Sequence, residues 1–119
     1  MAEFLNPFSG LAPDKKMTLP ELIRAIRLSI AAEEEAIHLY TAQADATDHP
    51  LAKKVLLDIA DEERVHAGEF LHLLQILTQD ENQFLVEGKQ EVEEMREELY
   101  QEGKTVEGEF PTVGPLKEN

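Results

Sequence analysis

The 119-residue chain has no cysteine. That single absence excludes disulfides, thiolate zinc sites, iron–sulfur clusters and cysteine nucleophiles together. Proline and glycine number only six each, and they are few outside the two ends, so a packed helical core can form between. No run of about 18 apolar residues exists, so no transmembrane helix is expected. The first 16 residues lack a basic start followed by an apolar block, so no secretory signal is expected and the cytoplasm is the default compartment. Basic residues are scarce, 11 against 25 acids, giving a formal net charge of −14. Such a charge argues against nucleic acid and anionic membranes as partners. It suits a protein that attracts cations, although an acidic surface kept for solubility is the commoner reason for a negative sign.

What remains is one small domain's length, with 42% apolar residues. Residues 1–17 hold Pro7, Gly10 and Pro13 without periodicity, and read as an irregular arm in which Phe4, Leu5, Phe8 and Leu11 are free to dock. Thr18-Leu19-Pro20-Glu21 is a helix start, with Thr18 as cap, Pro20 in the first turn and Glu21 placed for a capping box. The helix is expected to reach about Ala46, where Thr47-Asp48-His49-Pro50 breaks it. A second helix runs from Pro50 to about Asp80, capped by Asp48 or His49. The short loop predicts an antiparallel hairpin. A shorter third helix is expected over 81–101, with Phe84, Leu85, Val92, Met95 and Leu99 as a weaker stripe, Gly88 counting against it, and an acidic middle. After Gly103 the chain reads as a flexible tail. The expected domain is therefore 18–102, all-α, flanked by arm and tail.

Chemistry concentrates where charge interrupts the apolar stripes. On the second helix the stripe is Leu56, Ile59, Glu63, His66, Phe70, Leu73 and Leu77, in steps of three and four. Leucine or isoleucine would be expected at 63 and 66, yet a carboxylate and an imidazole stand there, one turn apart on one face. On the first helix the stripe is Ile23, Ile26, Ile30, Glu33, Ile37, Tyr40 and Ala44, again with one acid. Glu33 precedes the loop by a span similar to that by which Glu63 and His66 follow it, so a hairpin brings the three level. An ionised carboxylate on such a stripe costs several kcal/mol by order of magnitude unless it is paired or binds a metal.

Glu-x-x-His on one bundle helix with a Glu from its neighbour is the ligand pattern of ferritin-like di-iron proteins. Carboxylates are hard ligands that bridge ions and stabilise the oxidised state, and a single imidazole per metal avoids the softness that favours copper or zinc. A full site takes two Glu helices and two Glu-x-x-His helices, whereas this chain offers one of each. Two copies must therefore meet, completing a ferritin-like four-helix bundle on dimerisation and a di-iron centre shared between subunits. Glu62 sits beside the stripe as an alternative ligand. Glu69 and His72 repeat the spacing off the stripe and read as solvated surface. Glu34 and His38 read first as a surface pair, with Glu34 placed to draw in cations. Tyr40 reads first as core, and beside ferrous iron it can also donate an electron. His49 reads as a turn residue.

The segments Ala31-Ala32-Glu33-Glu34-Glu35-Ala36-Ile37-His38-Leu39-Tyr40 and Lys53-Lys54-Val55-Leu56-Leu57-Asp58-Ile59-Ala60-Asp61-Glu62-Glu63-Arg64-Val65-His66 resemble the two core helices of the encapsulated ferritins, short ferritin-like proteins packaged inside encapsulin shells. The likeness covers roughly Leu19 to Leu77. It implies a ferroxidase in which Glu33, Glu63 and His66 are iron ligands and Glu34 or Glu35 lies near acidic entry positions. It also implies a homodimer assembled with others into a ring-shaped decamer. Leu39 stands where the family often has Trp, so any role of that ring is absent here. Phe110-Pro111-Thr112-Val113-Gly114-Pro115-Leu116-Lys117 resembles an encapsulin-targeting peptide, with Pro115 in place of the usual Ser. A tethered apolar tag of this kind suits a groove on a shell's inner wall, which places the chain inside a cytoplasmic nanocompartment. The rival expectations are a rubrerythrin-like peroxidase, which zero cysteine argues against, a metal-free helical dimer acting as an adaptor, and a metal carrier without redox turnover.

Overall fold

Thr18 begins the ordered helices as its type and spacing require. In the computed structural model, which describes residues 15–104, the Thr18 hydroxyl accepts from the Glu21 amide at 3.3 Å, and the Thr18 amide donates to the Glu21 carboxylate at 2.9 Å. This reciprocal capping box satisfies two backbone donors that the first turn leaves without partners. From it runs α1, Leu19–Asp45. After a four-residue break, α2 spans Pro50–Thr78 and α3 spans Glu81–Gln101. Among the described residues there is no strand, so the all-α expectation holds. The arm over 1–14 and the tag-like segment at 110–117 lie outside the described residues.

His49, expected only as a turn residue or cap, is the cap of α2: its Nδ1 accepts from the Ala52 amide at 3.2 Å. Pro50 then occupies the first turn, where its missing N–H costs nothing. At the other end α2 stops at Thr78 rather than Asp80, because Gln79 takes a left-handed conformation at φ 65° and its amide returns to the Gln75 carbonyl. The chain divides into two units at this point, Met1–Gln79 and Asp80–Asn119.

In the first unit α1 and α2 pack antiparallel. Lys53 donates to the Ala44 carbonyl at 2.9 Å near the loop, and Glu33 meets His66 further away; as one number falls the other rises. The Lys53 contact also supplies a cation to the C-terminal end of α1, whose own last turn has none. The core consists of Ala25, Ile26 and Ala44 from α1 with Ala60 and Leu74 from α2.

The expected α1 stripe faces inward throughout. The α2 stripe is rotated from expectation. Ala60 and Leu74 are its most buried residues at 2% exposure, whereas His66 and Leu73 lie exposed at the stripe's edge. Small residues let the helix axes approach, so the seam settles on Ala60 and Ala67 rather than on the bulkier series beside them.

In the second unit, α3 has no buried residue among those described. It closes with Gly103 at φ 73°, whose amide donates to Tyr100 at 3.0 Å, while Lys104 donates to Leu99 at 2.9 Å. That pairing is the Schellman end, and glycine alone takes its left-handed position without steric cost.

Candidate metal centre

Midway along the hairpin, three side chains converge. Glu33 comes from the inward face of α1, and Glu63 and His66 come from successive turns of α2. Each offers a ligand atom, and these atoms lie within 4.8 Å of one another. His66 Nδ1 stands 3.7 Å from Glu33 Oε2 and 3.6 Å from Glu63 Oε2. Both separations are too long for a hydrogen bond. They are of the order found between two donors that share one ion through bonds of roughly 2.1 Å.

Burial makes the spacing informative. The Glu33 and Glu63 side chains are 18% and 20% exposed. Glu33 Oε2 is buried and has no hydrogen-bond partner. Buried carboxylate oxygens are rarely left unbonded, because desolvation costs roughly 1–3 kcal/mol or more without a partner. A cation held between the three groups would supply it. The donor set, two carboxylates and one imidazole, suits iron and manganese better than copper. On these grounds the residues fit a metal site.

His66 has a different environment. Its side chain is 47% exposed, on the flank of α2 away from Arg64, since residues two apart on a helix point about 200° apart. The trio is therefore lined on one side by α1 and open at His66. Among the described residues no second such group is gathered. Three donors are half of what a di-iron bundle site uses.

The other sequence candidates fall elsewhere. Glu34 is exposed and lines a cavity of about 350 Å³ with Ile30, Ile37, Arg64, Ala67, Gly68 and Leu71. Tyr40 is half-buried on the inward stripe of α1, two turns beyond Glu33. Glu62 and Glu69 are exposed, and His72 meets Gln75 at 3.3 Å on the surface. Sequence reasoning gave Arg64 no role; it lines the same cavity as Glu34, with its guanidinium 3.6 Å from Asp61 on its own helix.

The rubrerythrin family model matches residues 25–109. The crystal structure of the encapsulated ferritin domain from Pyrococcus furiosus superimposes with a TM-score of 0.69 at 39% identity, covering 78% of this chain and 94% of that one. The chain belongs to the encapsulated ferritins. Within that family, 69 residues are 54% identical to an encapsulin nanocompartment cargo protein, EncC, of Myxococcus xanthus, 58% of this chain and 52% of the relative. A ferritin-like–encapsulin shell fusion protein of Pyrococcus furiosus is 42% identical over 82 residues, 69% of this chain and 24% of the relative. The chain thus spans about half the length of the first relative and a quarter of the second. An encapsulated ferritin is a ferritin-like helical protein, and the carboxylate–imidazole trio occupies the middle of its hairpin.

Proposed function

We propose that this encapsulated ferritin is a ferroxidase whose di-iron centre is built from Glu33, Glu63 and His66 of two copies. The observation that carries the reading is the buried, unbonded Glu33 Oε2 beside the Glu63–His66 pair. Two Fe²⁺ ions are the substrate. Each gives one electron to the oxidant; dioxygen accepting both electrons with two protons becomes hydrogen peroxide. The chain's part is to hold the ions and favour the product. Four carboxylates, two from each copy, offset the added charge of Fe³⁺ more than that of Fe²⁺, which is why a carboxylate-rich set promotes oxidation. Tyr40, on the same inward stripe, supplies an electron when iron alone cannot, and exposed Glu34 raises the local concentration of cations.

The family's packaging supports the setting. Residues 110–117 dock this chain inside an encapsulin shell, where oxidised iron is stored, since a hairpin subunit encloses no large cavity of its own. Among the described residues no helix is long and apolar enough to cross a membrane. The rubrerythrin match favours one second reading, with peroxide rather than dioxygen as oxidant.

The test is anaerobic Fe²⁺ titration followed by air, watching near-ultraviolet absorbance for Fe³⁺. Oxidation well above the buffer rate, saturating near one iron per subunit, is expected. Oxidation no faster than buffer would leave the trio to a metal carrier or a structural adaptor. Repeating the titration with peroxide under nitrogen separates the two oxidants.

A further inference from the structure

The apolar side of α3 has a period of its own. Leu85, Gly88, Val92, Met95 and Leu99 follow one another at steps of three, four, three and four. That is the 3.5-residue repeat of a coiled-coil seam, with Leu85, Val92 and Leu99 in one row and Gly88 and Met95 in the other. Its side chains are open: Val92 and Met95 are each 59% exposed and Leu85 and Leu99 each 38%.

The charges bordering the seam identify what covers it. Lys89 and Arg96 lie along one edge, Glu91 and Glu98 along the other. In a parallel pair of identical helices, an acid on one edge meets the residue five further along on the opposite helix. Glu91 then faces Arg96 of the second copy, twice by symmetry. An antiparallel pair sets Glu edge against Glu edge and Lys/Arg edge against Lys/Arg edge, which is repulsive on both sides. Arg96 already holds Glu93 at 3.2 Å, but a guanidinium carries five donors and can serve both. Glu87, Glu93, Glu94 and Glu97 fall on the outer faces, where charge stays solvated.

We infer that α3 is a self-pairing element: it zips in parallel with α3 of a second copy along Leu85–Leu99, the direction chosen by Glu91–Arg96 pairs. Gly88 brings no side chain to this seam, and a Cβ there would meet nothing within 4 Å in its own chain. With only 21 residues in the helix, the zipper holds little more than two heptads. It closes when copies are already held together, through their raised effective concentration; in this it rests on the two-copy reading above.

The cysteine-free sequence makes the test direct, because an introduced thiol is the only one. Full-length Leu99→Cys, mildly oxidised, is expected to yield covalent dimer, and Gln90→Cys, on the outer face, several-fold less. On the Leu99→Cys background, Glu91→Lys and Arg96→Glu each lower the yield several-fold, and mixing the two variants restores it. Gly88→Leu raises it. Equal yields from 90 and 99, or a mixture that stays uncrosslinked, overturns the parallel zipper. Native mass of the same samples separates the readings. An assembled protein without the Leu99→Cys cross-link overturns the zipper alone, whereas a monomer that stays monomeric with Fe²⁺ overturns both.

Discussion

Glu33 carries a negative charge into the seam between two helices and leaves one oxygen there unbonded. A buried charge without a partner weakens the metal-free fold. Glu33→Gln keeps the shape and removes the charge, so it should stabilise the metal-free protein by about 1 kcal/mol, read by urea unfolding. The same variant should lose oxidation, and Glu33→Ala and His66→Ala should each lower the rate at least tenfold, toward that of buffer. Near wild-type rates in both alanine variants would remove the ligand assignment. Glu21 gives the opposite case, a carboxylate that helps the fold. The Thr18 amide, and then its hydroxyl, hold the Glu21 carboxyl below its ordinary pKa. A lowered folded-state pKa means stability that is complete above the unfolded value and is lost as pH falls through the folded one. Thermal midpoints of wild type and Glu21→Gln, followed from about pH 5 to about pH 3, should therefore converge toward the acid end.

At the scale of helices, most boundaries were legible in the sequence because single residues enforce them: Thr18 with Glu21, Pro50 after a capping His49, Gly103 at the end of α3. The trio was legible too, since polar residues at stripe positions conflict with their surroundings wherever the stripe faces inward. The rotation of α2 was not. Periodicity marks the apolar arc, and its centre is set by how closely the partner helix approaches, which depends on small side chains such as Ala60 that a hydrophobic pattern scarcely registers. Two predictions follow from the packing observed. Ala60→Leu inserts volume into a seam with no room for it and should cost about 1–3 kcal/mol in urea unfolding. Gln79→Gly relieves a left-handed position held by a residue with a side chain and should gain about 0.5–1 kcal/mol.

For the whole molecule, the governing observations are a net charge of −14 and a cluster of three potential donors open on one flank. Bringing two such chains together gathers like charges until a cation arrives, so Fe²⁺ should shift the protein toward a larger species in size-exclusion chromatography. Assembly unchanged by iron would count against a shared centre. Deleting residues 103–119 should abolish co-purification with an encapsulin shell while leaving the oxidation rate intact; retention of the shell would assign packaging to another part of the chain.

The three-donor count also governs how mixtures behave. If each working centre draws on two chains, it works only when both are sound. Wild-type protein blended with Glu33→Ala before assembly would then lose activity as the square of the wild-type fraction, and an equal blend would retain about a quarter rather than a half. In a cell carrying one intact and one damaged copy of the gene, the damaged product would poison the intact one.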